Sequence, residues 1–95
     1  MKRIVRLLKG KPIDGELKMI QVGCIAYSDQ DGWSTDDFGK RILDDVVSGK
    51  LSWGRQVLTL DDPDTLLRTL PKILRSIYLS ASEPTVIDDA EKRRA

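Results

Sequence analysis

Hydrophobic residues recur at helical spacing most densely in one segment of the chain, residues 58–81. An Asp-Asp pair followed by Pro63 provides a helix cap and a suitable first helical residue. Pro71 removes a backbone donor and clashes with the preceding turn, so we predict a helical segment over residues 63–80 that is bent or restarted at Pro71. The apolar face of this segment comprises Leu66, Leu67, Leu70, Ile73, Leu74, Ile77 and Tyr78. We expect this face to supply most of the hydrophobic core.

A second, shorter helix is predicted over residues 35–47. Ser34 can accept a backbone hydrogen bond as the N-cap, and Asp37 follows it at the spacing of a capping box. Gly49 suits the position just after a helix, where the backbone takes a positive φ. The apolar residues between these signals recur on one face, and they are Phe38, Ile42, Leu43, Val46 and Val47. The pattern therefore predicts an amphipathic helix whose apolar side faces the core.

Alternating positions predict three strands. Residues 17–28 are partly apolar on both faces, which is typical of a central strand. Residues 2–9 also fit a helical turn, but the Gly- and Pro-containing segment 10–15 that follows them favours a β-hairpin. Residues 51–60 alternate again and are predicted to form the third strand.

Together these elements predict an α+β fold with the order ββαβα, in which a three-stranded sheet packs on two helices. The 95 residues suffice for a single domain, which we place at residues 1–82. Residues 83–95 have little to bury and are expected to form a flexible C-terminal tail. Because an open three-stranded sheet has exposed edges, a homo-oligomer that forms by edge pairing is a further hypothesis.

The charges of the chain nearly balance, with a net charge of +1. Six bases and two acids lie in residues 1–18, whereas four acids and no base lie in residues 19–37. We interpret these regions as complementary solvated faces. The single cysteine, Cys24, cannot form an internal disulfide, and the sequence contains neither a signal-peptide core nor an apolar run long enough to span a membrane. We therefore expect a soluble cytoplasmic protein that does not associate with membranes.

The sequence lacks residues that most enzymes and metal proteins need. It contains no histidine, which is the commonest general base and metal ligand, and one cysteine is too few for a structural zinc site. No P-loop, G-x-G-x-x-G or nucleophile-elbow motif occurs. The acidic stretch 29–37 departs from the spacing of a calcium-binding loop, and we interpret it as a turn with a helix cap. The sequence therefore predicts no enzymatic activity, no catalytic residue, no metal and no cofactor.

Two tryptophans are the best candidates for a binding surface. Trp33 and Trp53 each lie next to a glycine near the end of a predicted element, and Trp53 shares a strand face with Arg55. Tryptophan and arginine are enriched among the residues that dominate protein–protein interfaces. We therefore expect a small protein-binding module, meaning an adaptor, an inhibitor or a regulatory subunit, that acts through Trp33, Trp53 and Arg55.

The basic N-terminal segment supports an alternative hypothesis, which is nucleic-acid binding. The side chains available for phosphate contacts are Lys2, Arg3, Arg6, Lys9 and Lys11. No aromatic residue interleaves with these bases, and the net charge of the chain is small, so this hypothesis ranks second. It predicts an affinity for nucleic acid that falls steeply as the salt concentration rises.

Overall fold

The computed structural model describes residues 1–87, and these form an antiparallel sheet of five strands with two helices. The predicted α+β class is confirmed. The strand order in the sheet is β3-β2-β1-β4, and β5 also pairs with β1. In chain order the elements are β1 (Lys2–Ile13), β2 (Glu16–Ser28), β3 (Gly32–Thr35), α1 (Asp37–Val47), α2 (Pro63–Ile73), β4 (Ser80–Ala81) and β5 (Thr85–Ile87).

The first two strands form a long hairpin that extends beyond the rest of the molecule. Asp14 and Gly15 join them with φ angles of 51° and 80°, the combination of a type I′ turn, which matches the twist of the strands. The strands therefore continue through the predicted loop at residues 10–15, and residues 11–19 are all exposed. We call residues 9–21 the arm of the hairpin, and residues 2–8 with 22–28 its base.

The base of the hairpin carries the hydrophobic core. Val5, Leu7 and Ile25 are fully buried and lie on one face of the sheet, because residues along a strand alternate between its faces. Both helices pack against this face. The rest of the buried cluster comes from the two helices and from Leu58 and Leu74, which flank α2. The helical members are Ile42, Leu43, Val46, Leu66, Leu67 and Leu70.

Helix α1 begins two residues later than predicted. Ser34 is not its N-cap, because Ser34 lies in β3 and pairs with Ala26. Asp36 caps the helix instead, and its Oδ1 accepts a hydrogen bond from the Gly39 N–H at 2.7 Å. The helix ends at Val47 as predicted, and Gly49 beyond it has the expected positive φ of 86°.

The third predicted strand, residues 51–60, is not a strand, so the order ββαβα is wrong. Trp53 pairs only with Gln56 across a tight turn in which Gly54 has a φ of 58°. Val57 is 82% exposed, and residues 51–60 contribute none of the five strands of the sheet. The outer edge of β1 pairs instead with β4 and β5, two short strands from the end of the described chain.

Helix α2 is shorter than the predicted bent segment over residues 63–80. Its start is as predicted, with Asp62 as the N-cap and Pro63 in the first turn, but the helix ends at Ile73. Pro71 lies in its last turn, and Leu74 adopts an extended conformation. The chain then turns towards β4, where the Ala81 N–H donates to the Leu74 carbonyl oxygen at 2.9 Å.

Two apolar residues from the predicted core face of that segment therefore lie elsewhere. Ile77 and Tyr78 follow the end of α2 and are 53% and 75% exposed, so their assignment to the core is wrong. The helix passes through Pro71 and ends because Leu74 takes an extended conformation, in which its carbonyl oxygen accepts the hydrogen bond from the Ala81 N–H of β4.

The segment predicted as a flexible tail, residues 83–95, is described only in part. Thr85–Ile87 form β5 and pair with β1 between Lys2 and Ile4. Residues 88–95 lie outside the described part of the chain, so the prediction for them stays a prediction. Within residues 1–87, neither helix has the length and apolar character needed to cross a bilayer.

Candidate functional site

The hairpin turn determines which backbone groups point away from the hairpin. In a two-residue hairpin the residues that flank the turn, Ile13 and Glu16, exchange both of their hydrogen bonds, and such pairs then alternate with pairs that exchange none. The pairs that exchange none are therefore Pro12 with Leu17, Gly10 with Met19 and, at the border with the base, Leu8 with Gln21. The observed bond from the Gly10 N–H to the Ile77 carbonyl oxygen, at 2.7 Å, fits this assignment because it points away from β2.

In the base of the hairpin, the outward backbone groups of β2 are covered. Ala26 and Ser28 pair with β3. Where β3 ends, the Asp36 carboxylate replaces it, since its Oδ1 accepts a hydrogen bond from the Cys24 N–H at 3.3 Å. The same oxygen caps α1, so one side chain both begins the helix and closes the edge of the sheet.

In the arm, the outward groups of the same strand are bare. Leu17, Met19 and Gln21 direct their N–H and C=O groups away from β1, and no strand of the described structure lies beside them. A β-bulge at Val22 separates them from the covered part of β2, because Leu7 pairs with Gly23 and Leu8 with Gln21. We call Leu17, Met19 and Gln21 the open edge.

The opposite edge of the arm, on β1, is blocked. Pro12 occupies an outward-facing position and has no N–H to offer. The outward N–H of Gly10 is occupied by Ile77, whose carbonyl oxygen would lie 2.5 Å from a Cβ atom at position 10, so the contact requires glycine. Proline and occupied donors are the usual ways in which proteins prevent an edge strand from pairing, and only the β1 side of the arm has them.

The side chains of the open edge are apolar and accessible. Leu17 is 56% exposed and Met19 is 44% exposed, and both lie on the face of the arm that also carries Leu8. The neighbouring charges, Glu16 and Lys18, lie on the other face, where the Lys18 ammonium is 3.9 Å from the Glu16 carboxylate. The edge thus combines free backbone donors and acceptors with an apolar surface, which is the pattern that recruits a further strand.

The three residues of the predicted tryptophan site differ in their exposure to solvent. Trp33 is half-buried: its indole N–H donates to the Leu60 carbonyl oxygen at 3.1 Å, and its ring meets Tyr27 edge to face at 5.1 Å. These contacts give Trp33 a role in holding the loop before α2 against the sheet. Trp53 is 41% exposed, and Arg55 is exposed in the same tight turn.

The five predicted phosphate-binding residues do not form one surface. By alternation along β1, Lys2 and Arg6 lie on one face of the sheet, and Arg3, Lys9 and Lys11 lie on the other. The bases of β1 are therefore divided between two opposite surfaces.

Arg3 is moreover engaged within the fold. Its side chain is only 17% exposed, with Nη2 3.1 Å from Asp29 Oδ1 and Nε 3.0 Å from Asp64 Oδ1. The approach of Nε to Asp64 is an ion pair without hydrogen-bond geometry, which leaves this buried N–H without an acceptor. The guanidinium also lies 5.6 Å from the centre of the Tyr27 ring. Two acids therefore already balance the charge that a phosphate would need.

A cavity of about 490 Å³ adjoins this arginine, between α2 and the segment before β5. The charged residues that line it have both signs. The lining residues are Arg3, Asp64, Leu67, Arg68, Pro84 and Val86. Among residues 1–87, no three acidic or cysteine side chains are grouped so that they could hold a metal ion.

Sequence reasoning missed the open edge because it placed the turn too early. The predicted loop at residues 10–15 combines Gly10 and Pro12 with the Asp14-Gly15 pair as turn residues. An Asp-Gly pair between alternating residues is itself the signal of a two-residue hairpin. With the turn at Asp14-Gly15, the sequence alone would have given both the length of the arm and the outward position of Pro12.

Comparison with known proteins adds no further assignment. The chain gives no significant match to any protein-family model, to any curated protein sequence or to any solved structure.

Proposed function

We propose that this chain is a non-enzymatic protein-binding module, and that the open edge of the arm is its main binding surface. The observation that carries the proposal is the contrast along β2, whose outward groups are covered in the base and bare at Leu17, Met19 and Gln21. Such an edge binds an extended segment as an additional antiparallel or parallel strand.

The backbone supplies the affinity in this mode of binding. Each hydrogen bond to a bound strand contributes about 0.5–1.5 kcal/mol net. The apolar side chains of Leu17 and Met19 add buried area when a strand covers them, because about half of each is exposed in the free chain. A segment with apolar residues at alternate positions would fit this surface best, since only alternate side chains meet Leu17 and Met19.

The exposed turn around Trp53 is a second contact surface in this proposal. Trp53 and Arg55 are residue types that anchor interfaces, and Val57 beside them is almost fully exposed. In this proposal Trp33 acts indirectly, because its indole N–H donates to the Leu60 carbonyl oxygen and holds the loop before α2 in place. As an adaptor, inhibitor or regulatory subunit the chain would act in the cytoplasm, which agrees with its single cysteine.

Nucleic-acid binding through Lys2, Arg3, Arg6, Lys9 and Lys11 remains the alternative proposal. It has less support, because Arg3 is held by two aspartates and the other bases lie on both faces of the sheet. Gel-shift titrations at low salt, with duplex and with single-stranded probes, test it. A shift that weakens steeply with salt would favour this alternative over the protein-binding proposal.

Proline substitution at the open edge tests the main proposal. Met19→Pro removes one outward N–H and no bond to β1, because Met19 and Gly10 exchange none. The matched control, Met19→Thr, keeps the N–H and suits a strand. We expect proteins captured from native lysate by the unmodified chain to bind Met19→Thr within a few-fold and Met19→Pro at least tenfold more weakly. Equal capture by Met19→Pro and the unmodified chain would contradict the proposal.

A further inference from the structure

We infer that the open edge of one copy pairs with the open edge of a second copy, antiparallel and across a two-fold axis, with Met19 facing Met19. The inference rests on the proposed function, because it uses the same edge and names its occupant. Two-fold dimers are the commonest homo-oligomers, and an exposed sheet edge can pair with its own copy across such an axis.

The positions of the outward groups select this register. With Met19 on the axis, Leu17 faces Gln21 of the second copy, and Gln21 faces its Leu17. All three outward residues then lie in hydrogen-bonded pairs, which gives about six backbone hydrogen bonds across the interface. The open edge is therefore complementary to itself over its full length.

The neighbouring registers use fewer of these groups or oppose like charges. An axis at Leu17 brings the Asp14-Gly15 turn, with its positive φ angles, into the pairing. An axis at Lys18 sets two ammonium groups directly opposite each other, which is destabilising. An axis at Ile20 sets Lys18 opposite the bulge at Val22 and Leu17 opposite Gly23, and an axis at Gln21 runs into the part of β2 that β3 covers.

The side chains are compatible with the Met19 register. Leu17 and Met19 of both copies lie on one face and form a continuous apolar row, where each is now about half exposed. On the other face Lys18 stands opposite Ile20 of the second copy. Its charge is offset by Glu16, 3.9 Å away in its own chain, and a net charge of +1 produces little repulsion between copies.

A cysteine cross-link tests the register with a matched control. In a Cys24→Ala background, Met19→Cys places two thiols across a hydrogen-bonded pair, with a Cα–Cα distance of about 5.5 Å, which a disulfide spans. Gln21→Cys lies on the same edge and face, but its counterpart in the second copy would be about 13 Å away, four residues along the strand. We expect Met19→Cys to form a covalent dimer at least tenfold faster than Gln21→Cys under mild oxidation.

Light scattering on the unmodified chain keeps the inference testable if the Cys24→Ala background fails to fold. We expect a mass that rises with concentration from 10.7 kDa towards twice that value, and no rise for Met19→Pro. A monomer at millimolar concentration, or cross-linking of Gln21→Cys as fast as that of Met19→Cys, would overturn the inference. The proposed function would still stand after either result if Met19→Pro captured its protein partner more weakly than the unmodified chain. If Met19→Pro captured the partner equally well, the proposed function and the dimer would both be contradicted.

Discussion

The base and the arm of the hairpin are built from the same two strands and differ in what lies beside them. In the base, β3 and Asp36 cover one side, β4 and β5 cover the other, and two helices cover one face. In the arm, Pro12 and Ile77 block the β1 side, while the β2 side is bare. Side chains alternate within each region, so neighbouring elements rather than strand pattern decide which edge remains free.

The bulge at Val22 marks the border between the two regions. It changes which residues of β2 face outward, from the odd-numbered Leu17 and Met19 in the arm to the even-numbered Cys24 and Ala26 in the base. Just beyond the bulge, the Asp36 carboxylate accepts a hydrogen bond from the Cys24 N–H, the first outward N–H of the base. This order of features indicates that closure of the edge ends at a defined place, and each prediction below tests one side of that border.

The largest expected contrast is between two leucines of the hairpin. Leu7→Ala in the base should lower the free energy of unfolding by about 2–5 kcal/mol, because Leu7 is fully buried in the core. Leu17→Ala in the arm should change it by less than about 0.5 kcal/mol in the monomer, because Leu17 is mostly exposed. Chemical denaturation at low protein concentration measures both. Equal costs for the two substitutions would contradict the division into base and arm.

Two glycines test how closely α1 packs against the base of the hairpin. A Cβ atom at Gly39 would collide with the Cys24 carbonyl oxygen of the backbone, so Gly39→Ala should cost about 2–3 kcal/mol of unfolding free energy. A Cβ atom at Gly23 would meet only side-chain atoms, of Asp36 and Phe38, at 3.0–3.2 Å. The Asp36 and Phe38 side chains can shift, so Gly23→Ala should lower the free energy of unfolding by less than about half the amount expected for Gly39→Ala. Thermal melts of both variants provide the test, and a reversed ranking would show that α1 does not pack as closely on β2.

Asp36 tests where the closed edge ends. Asp36→Ala removes the cap of α1 and should cost about 1 kcal/mol, and it should also leave the Cys24 N–H open to exchange with solvent. Asp37→Ala, one residue further, removes only a charge from the first helical turn and should cost about 0.3 kcal/mol. Amide exchange of Cys24 separates the two variants. Unchanged protection of Cys24 in Asp36→Ala would show that something else closes this position.

The smallest effect concerns acid stability at the N-terminus of α2. Hydrogen bonds from the Thr65 hydroxyl and then from its backbone N–H lower the pKa of Asp62 below the ordinary aspartate value of about 3.9. The Asp62 carboxyl therefore binds its proton less tightly in the folded state than in the unfolded state. The stability that the ionised Asp62 contributes is present above about pH 4 and is lost as the pH falls through the pKa of the folded state. Asp62→Asn should reduce the loss of stability below pH 4 slightly. An Asp62 carboxyl that titrates at or above its ordinary value by NMR would contradict this account.

Local signals in the sequence predicted the hairpin and two of the helix boundaries. The helix boundaries at Pro63 and Val47, and the glycine at position 49, follow from cap and turn chemistry within a few residues. The hairpin itself follows from two apolar runs around turn residues. Such features depend on neighbours along the chain, and the sequence contains them directly.

Features that depend on distant partners were not predictable in this way. The segment 51–60 alternates like a strand, yet Gly54 turns it and the sheet position beside β1 is occupied by residues 80–87. The open edge at Met19 likewise depends on which strands are absent from its side. Of the predicted site residues, Trp53 and Arg55 are exposed as an interface requires, whereas Trp33 hydrogen-bonds within the fold.

Amide hydrogen exchange of Met19 relative to Ala26, measured residue by residue by NMR, tests the central claim most directly. Both amides face outward from β2, but Ala26 pairs with β3 and Met19 has no strand beside it. At low protein concentration the account predicts fast exchange at Met19 and strong protection at Ala26. Protection at Met19 should then appear as a binding partner or a second copy covers the edge. Equal protection of both amides in the dilute monomer would contradict the claim that the edge is open.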